Sequence, residues 1–124
     1  MSKLKQTEFH KAFPAELRKE TLVVSPAGDA VGFRELDLNK EIKTLLEILD
    51  QPEVKNLVVD LGTSKYYGTI IIGAFNVLGT KVRETGGKIA MCNASEDMRG
   101  ILRVMNLDTL WPHYDSLKEA LKAM

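Results

Sequence analysis

Apolar positions along the chain fall into short blocks that switch between strand-like and helix-like spacing. Thr21-Leu22-Val23-Val24-Ser25 is a β-branched run stopped by Pro26-Ala27-Gly28-Asp29, which predicts a strand and a turn. From Leu38 the apolar residues Leu38, Ile42, Leu45, Leu46 and Leu49 recur at helical intervals, with Pro52 beyond the end. Asn56-Leu57-Val58-Val59-Asp60-Leu61 then reads as a central strand, apolar on both faces. Residues 1–20 are polar and mixed, with Phe9 and Phe13 as large anchors. They predict an N-terminal segment that is an edge strand or a flexible end, ahead of a domain spanning 21–124.

The stretch SKYYGTIIIGAF, residues 64–75, fits either period at first sight. Read as a strand it would have to end soon, because strands rarely exceed about ten residues. No turn signal intervenes between Thr69 and Gly86-Gly87. Stepping roughly 100° per residue from Thr69 gathers Ile70, Ile71, Ala74, Phe75, Leu78 and Val82 on one side. Thr69, Gly73, Asn76, Thr80 and Arg83 gather on the other, with Ile72 at the border. This predicts a helix from Thr69 or Ile70 to Thr85, with Thr69 as N-cap and Gly86 where a terminating glycine belongs.

After the glycines, Lys88-Ile89-Ala90-Met91-Cys92 predicts another strand. Asn93-Ala94-Ser95-Glu96 is rich in capping residues and leads into a helix carrying Met98, Ile101, Leu102 and Met105. Leu110-Trp111 predicts a last short strand, and Asp115 or Ser116 caps a terminal helix with Leu117, Ala120 and Leu121 inward. Strands alternating with helices imply a single α/β domain on a mainly parallel sheet.

Composition narrows the function classes. The 124 residues suffice for one core without covalent staples. Basic and acidic residues balance at 17 each, so charge gives no footprint for nucleic acid or an anionic membrane. One cysteine, Cys92, excludes an internal disulfide and suits a reducing compartment. No apolar run reaches the roughly 18 residues that span a bilayer, and the first residues lack the apolar core of a signal peptide. The expectation is a cytoplasmic protein.

Candidate chemistry is sparse. His10 and His113 stand in no metal-ligand spacing with Cys92 or a carboxylate, so neither a metal nor a cofactor is expected. Cys92 ends an apolar strand, as a buried inert thiol would. Gly68-Thr69-Ile70-Ile71-Ile72-Gly73 lacks the lysine of a phosphate-binding loop. Gly28, Gly32, Gly86 and Gly87 have turn or cap explanations. Asp60 ends a strand without an evident acid or base partner. No catalytic residue is assigned. Thr69 has two readings: a helix cap worth about 1 kcal/mol, or a phosphoacceptor in front of free helix N–H groups. Tyr66 and Tyr67 read as half-buried loop aromatics.

The order NLVVDL, a short loop, GTIIIGAFNVLGTKVRETGGKIAMCNAS and MRGILRVMNLDTLWPHYDSLKEAL resembles the STAS family, and within it the anti-sigma factor antagonists. The resemblance spans roughly residues 21–124. It implies a four-to-five-stranded mixed, mainly parallel sheet with helices packed to one side. It further implies a non-enzymatic partner-switching protein that binds an anti-sigma factor, commonly a serine/threonine kinase, and releases it on phosphorylation until a phosphatase acts. The family motif D-S-x-G falls on Gly68, Thr69 and Ile71, of which only the hydroxyl of Thr69 matches. The expected partner-binding residues are Gly68, Thr69, Ile72, Gly73, Asn76 and Thr80, with Thr69 as candidate phosphoacceptor. Two further readings stay open: an unphosphorylated STAS scaffold or sensory module, and an α/β enzyme or small-ligand binder using loops near Asp60 and Gly68.

Overall fold

The computed structural model describes residues 7–28 and 33–124; Asp29 and Gly32, read above as turn residues, and the first six residues lie outside them. Five strands form one sheet in chain order: β1 (Ala15–Arg18), β2 (Thr21–Val24), β3 (Asn56–Asp60), β4 (Ile89–Cys92) and β5 (His113–Tyr114). β1 pairs antiparallel with β2, and all later pairs are parallel. Helices α1 (Glu35–Leu49), α2 (Thr69–Glu84) and α3 (Glu96–Val104) are the crossovers, and α4 (Leu117–Lys122) ends the chain.

The apolar runs explain this layering. Every residue of β2 and β4 is buried, and so are Leu57, Val58 and Val59 of β3. On one face Leu22, Val24, Leu57, Val59, Ile89 and Met91 join the main core with α1, α2 and α3. On the other, Val23, Val58, Ala90 and Cys92 pack against Ala120 of α4. Three helices therefore lie to one side and the short terminal helix covers the second face, because parallel strands apolar on both sides need cover on both.

The N-terminal segment joins the sheet through the β1–β2 hairpin, and Phe13 is fully buried in the main core while Phe9 is exposed. Glu41 of α1 fastens it, its carboxylate accepting the N–H groups of Lys11 (3.2 Å), Ala12 (3.1 Å) and Phe13 (2.8 Å). Ser95 and Ser116 cap α3 and α4, accepting the N–H groups of Met98 and Glu119, each at 3.1 Å. At the end of α2 the Gly86 N–H donates to Arg83 O and the Gly87 N–H to Val82 O, the paired bonds of a Schellman motif. Gly86 holds the required φ of 81°.

Three local expectations need correction. Leu110 and Trp111 form no strand: their N–H groups turn back onto Leu107 O, Trp111 enters the core, and the last strand starts two residues later at His113. Thr69 is not the N-cap of α2; Gly68 holds that position, and Thr69 is the first helical residue. The inward face of α2 includes Ile72 and Gly79 and omits Ile70, which is 61% exposed. Trp111 sets this rotation. Its indole lies against Phe75 with ring centroids 6.4 Å apart and passes directly under Gly79. A Cβ on Gly79 would sit 2.6 Å from Trp111 Cζ2, whereas one on Gly73 would meet nothing within 4 Å.

The two mid-helix glycines should therefore respond oppositely. Gly79→Ala is expected to destabilise by about 1–3 kcal/mol through overpacking. Gly73→Ala should stabilise by up to about 1 kcal/mol from helix propensity. Urea midpoints of the two variants against the parent check this. A pH effect is expected at β5, where His113 Nε2 accepts the Ala94 N–H at 3.1 Å and so must be unprotonated. Burial, aided by nearby Arg99, lowers the His113 pKa below its ordinary value near 6.5. The unfolded chain then binds a proton more readily than the fold, so His113 contributes stability above about pH 6.5 that is lost as pH falls through the folded pKa. Denaturation curves between pH 7.5 and 5.5 should show this loss, and His113→Gln should flatten it.

Candidate partner-binding site at the start of helix α2

The loop from Gly62 to Gly68 carries the chain from the end of β3 to α2, and side chains hold it firmly. Asp60 Oδ1 accepts the Gly62 N–H and the Asn93 Nδ2–H, both at 3.0 Å, joining the loops after β3 and β4. Tyr67 is fully buried rather than half-buried; its hydroxyl accepts the Ser64 N–H at 3.1 Å and donates to Pro26 O at 3.2 Å. Burial pushes its phenol up, with the Asp60 carboxylate adding to the shift, so it keeps the proton it donates. Its ring meets Phe75 edge-on at 6.4 Å. Ser95 Oγ donates to Lys65 O at 2.7 Å while capping α3. The loop is thus pinned to the turn after β2, to the loop after β4 and to the core below.

This anchoring delivers Gly68 to the N-cap with extended backbone (φ −76°, ψ 173°). The first intrahelical bond runs from the Ile72 N–H to Gly68 O at 3.1 Å, so the N–H groups of Thr69, Ile70 and Ile71 have no partner within the helix. Gly68 has no side chain to cap them, and the Thr69 hydroxyl, exposed, makes no hydrogen bond among the described residues. No acidic residue occupies the first turn. The result is an accessible hydroxyl beside the positive end of a helix 16 residues long.

Of the residues expected on the contact face, Thr69, Gly73, Asn76 and Thr80 are exposed along one side of α2 and Gly68 is partly exposed. Ile72 is not on it. At 1% exposure Ile72 belongs to the core, on the Gly79 side of the helix. The large apolar groups bordering the stripe lie on its other edge: Ile70 at 61% and Val77 at 49% exposure, with Tyr66 at 51% in the loop just before. Ile70, Gly73 and Val77 follow i, i+3, i+7 spacing, the one sequence signal that could have found them. Gly73, with nothing within 4 Å of where a Cβ would stand, sits between this apolar edge and the hydroxyl-bearing Thr69 and Thr80.

Cys92, at the end of β4, is not exposed as a nucleophile would be. Cys92 is fully buried, and burial together with the adjacent Asp60 carboxylate pushes its thiol up to about 12. Among the described residues no group of three His, Cys, Asp or Glu side chains comes together to hold a metal ion. No helix in the described residues is long and apolar enough to cross a membrane.

The comparisons with known proteins agree with this architecture. No curated protein sequence matches closely enough to count as a relative. Among solved structures, an anti-sigma-factor antagonist (STAS) domain protein from Planctomyces limnophilus superposes with a TM-score of 0.72 at 23% identity, covering 90% of this chain and 96% of that one. The anti-sigma factor antagonist SpoIIAA in its unphosphorylated form gives 0.73 at 15% identity, covering 90% and 95%. The Bacillus cell fate determinant SpoIIAA in the phosphorylated form gives 0.69 at 16%, covering 90% and 98%. At such identities the likeness establishes the fold. The family model of the STAS domain matches residues 12–120, from the buried Ala12-Phe13 pair to the core residue Ala120 of α4, and the chain belongs to the STAS domain family.

Proposed function

We propose that this chain is a non-enzymatic, cytoplasmic partner-switching regulator of the anti-sigma factor antagonist type. It binds an anti-sigma factor or serine/threonine kinase through the outer side of α2 and is released when Thr69 is phosphorylated. The observation that carries this reading is the state of the Thr69 hydroxyl: exposed, without a hydrogen bond among the described residues and set beside N–H groups that have no partner within the helix. A phosphate there adds nearly two negative charges, which those N–H groups tolerate. The fold therefore survives the modification, while a surface of Ile70, Gly73 and Val77 meant to lie against another protein acquires a charge at its edge. The resemblance to SpoIIAA, solved both with and without phosphate, supports the same reading. A phosphatase would return the protein to its binding state.

A second reading rests on one feature. Gly68 and Ile71 stand where the family motif carries an acid and a glycine, which favours a STAS scaffold that binds without being phosphorylated. Phosphopeptide mapping after incubation with kinases that bind the protein separates the two: phosphate on Thr69 supports the switch, and binding without modification supports the scaffold.

The contact face makes its own demands. Thr69→Glu and Gly73→Arg should keep the parent's urea midpoint or exceed it, since the first places an acid in a helix first turn and the second fills open space. Each should weaken binding to the native partner at least about tenfold, a loss of about 1.4 kcal/mol. Ile70→Ala should weaken binding with stability preserved, whereas Ile72→Ala should lose about 2–5 kcal/mol of stability as a core truncation. Normal partner binding by Gly73→Arg would rule this face out.

A further inference from the structure

The second face of the sheet carries a different feature, at the end opposite Thr69. Helix α4 has only six residues, and between it and the first residues of β2 and β3 a groove of about 910 Å³ remains. That volume is in the range of small-molecule sites. The chain as a whole is neutral, with 17 basic and 17 acidic residues, yet the groove, which Met124 also lines, sets the side chains of Arg18, Lys19, Lys118 and Lys122 against one acidic side chain, Glu20. Glu20 already faces Lys55 at 3.5 Å, and Arg18 is held by Glu16 at 3.2 Å. Lys19, Lys118 and Lys122 have no ion-pair partner among the described residues.

The floor is polar in the same sense. Thr21 is 4% exposed, lines the groove, and its hydroxyl has no hydrogen-bond partner among the described residues. Asn56 accepts the Lys88 N–H with its Oδ1 at 3.0 Å, so its Nδ2–H donors are what it can offer a ligand. Opposite this floor Leu117 and Leu121, one turn apart on α4, form an apolar wall continuous with the Val23, Val58 and Ala120 cluster. Lys19 and the unused donors of Thr21 and Asn56 lie on the sheet side, and α4 sets Lys118 and Lys122 beside its aliphatic Leu117 and Leu121. Cations and donors thus border an apolar strip, which matches one chemistry. We propose that this groove binds a single-chain anionic amphiphile, its carboxylate or phosphate head on Lys19, Lys118 and Lys122 and its alkyl chain along Leu117 and Leu121.

Dodecyl phosphate below its micellar concentration is the probe, titrated into nitrogen-labelled protein and followed by amide NMR. Saturable shifts at Thr21, Asn56 and α4 are expected. Inorganic phosphate and a sugar-headed dodecyl detergent should each need at least about tenfold more, because each supplies only half of the contact. Lys122→Glu should weaken dodecyl phosphate binding at least about tenfold. Lys19→Gly is the cleaner variant: Lys19 holds φ +56°, a region that favours glycine, so the variant should be at least as stable as the parent and still bind more weakly. Equal binding of the sugar-headed detergent, shifts confined to Ile70 and Val77, saturation by inorganic phosphate alone at the same concentration, or indifference to both substitutions would overturn the proposal.

Discussion

Burial of the parallel strands β2, β3 and β4 on both faces is the constraint from which the rest of the molecule follows. Side chains alternate across a strand, so a run such as Leu57-Val58-Val59 sends apolar groups into both layers at once. Water must then be excluded on both sides, and each fully buried aliphatic side chain contributes roughly 1.5–3 kcal/mol only if a helix covers it. Helices α1, α2 and α3 supply one layer. The other depends on α4, whose Ala120 reaches Val23, Val58, Ala90 and Cys92. The two faces are covered unequally, and the groove beside α4 is the consequence of meeting the requirement with a six-residue helix.

The same constraint positions the candidate contact face. Parallel strands connected through helices bring the ends of β2, β3 and β4 to one edge, and the loops that leave them meet there. Asp60 ties the β3 loop to Asn93, Ser95 ties it to Lys65, and Tyr67 ties it to Pro26. These bonds fix the direction in which α2 starts. Gly68 occupies the cap position without offering a side chain, and the Thr69 hydroxyl makes no hydrogen bond among the described residues. At the far end of the helix Thr85, Gly86 and Gly87 stop it cleanly, and a Cβ on Gly87 would collide with the Lys55 carbonyl.

Rotation of α2 about its own axis is a separate matter, and it decides which side chains a partner could touch. Ile70 and Ile72 lie on opposite borders of the apolar arc, and their chemistry is identical. Trp111, arriving from the turn after α3, closes over Gly79 and Phe75; Ile72, on the same side as Gly79, is buried, while Ile70 and Val77 stay exposed. Gly79 is required by that close approach, while Gly73 has open space beside it. The two glycines, six residues apart in one helix, thus answer to different demands, one internal and one at the surface.

Local pattern in the sequence determined the elements: the short continuous apolar runs at 21–25, 56–61 and 88–92 mark strands buried on both faces, the spacing from Thr69 onward follows the 3.6 period, and the serines at 95 and 116 announce helix starts. Whether Leu110-Trp111 would pair as a strand, whether Tyr67 would be half-buried or fully buried, and which of Ile70 and Ile72 would face water were not determined there. Each depends on groups distant in sequence. Trp111 stays out of the sheet and packs under Gly79 and against Phe75, Tyr67 is buried with its hydroxyl donating to Pro26 O across 41 residues, and Ile72 lies on the buried Gly79 side of its helix. The groove beyond α4 belongs to the same class, since Arg18, Thr21, Asn56 and Lys122 are brought together only by strand pairing and the packing of α4. Periodicity reports which residues must avoid water, but the neighbour that provides the shelter is chosen by tertiary contact.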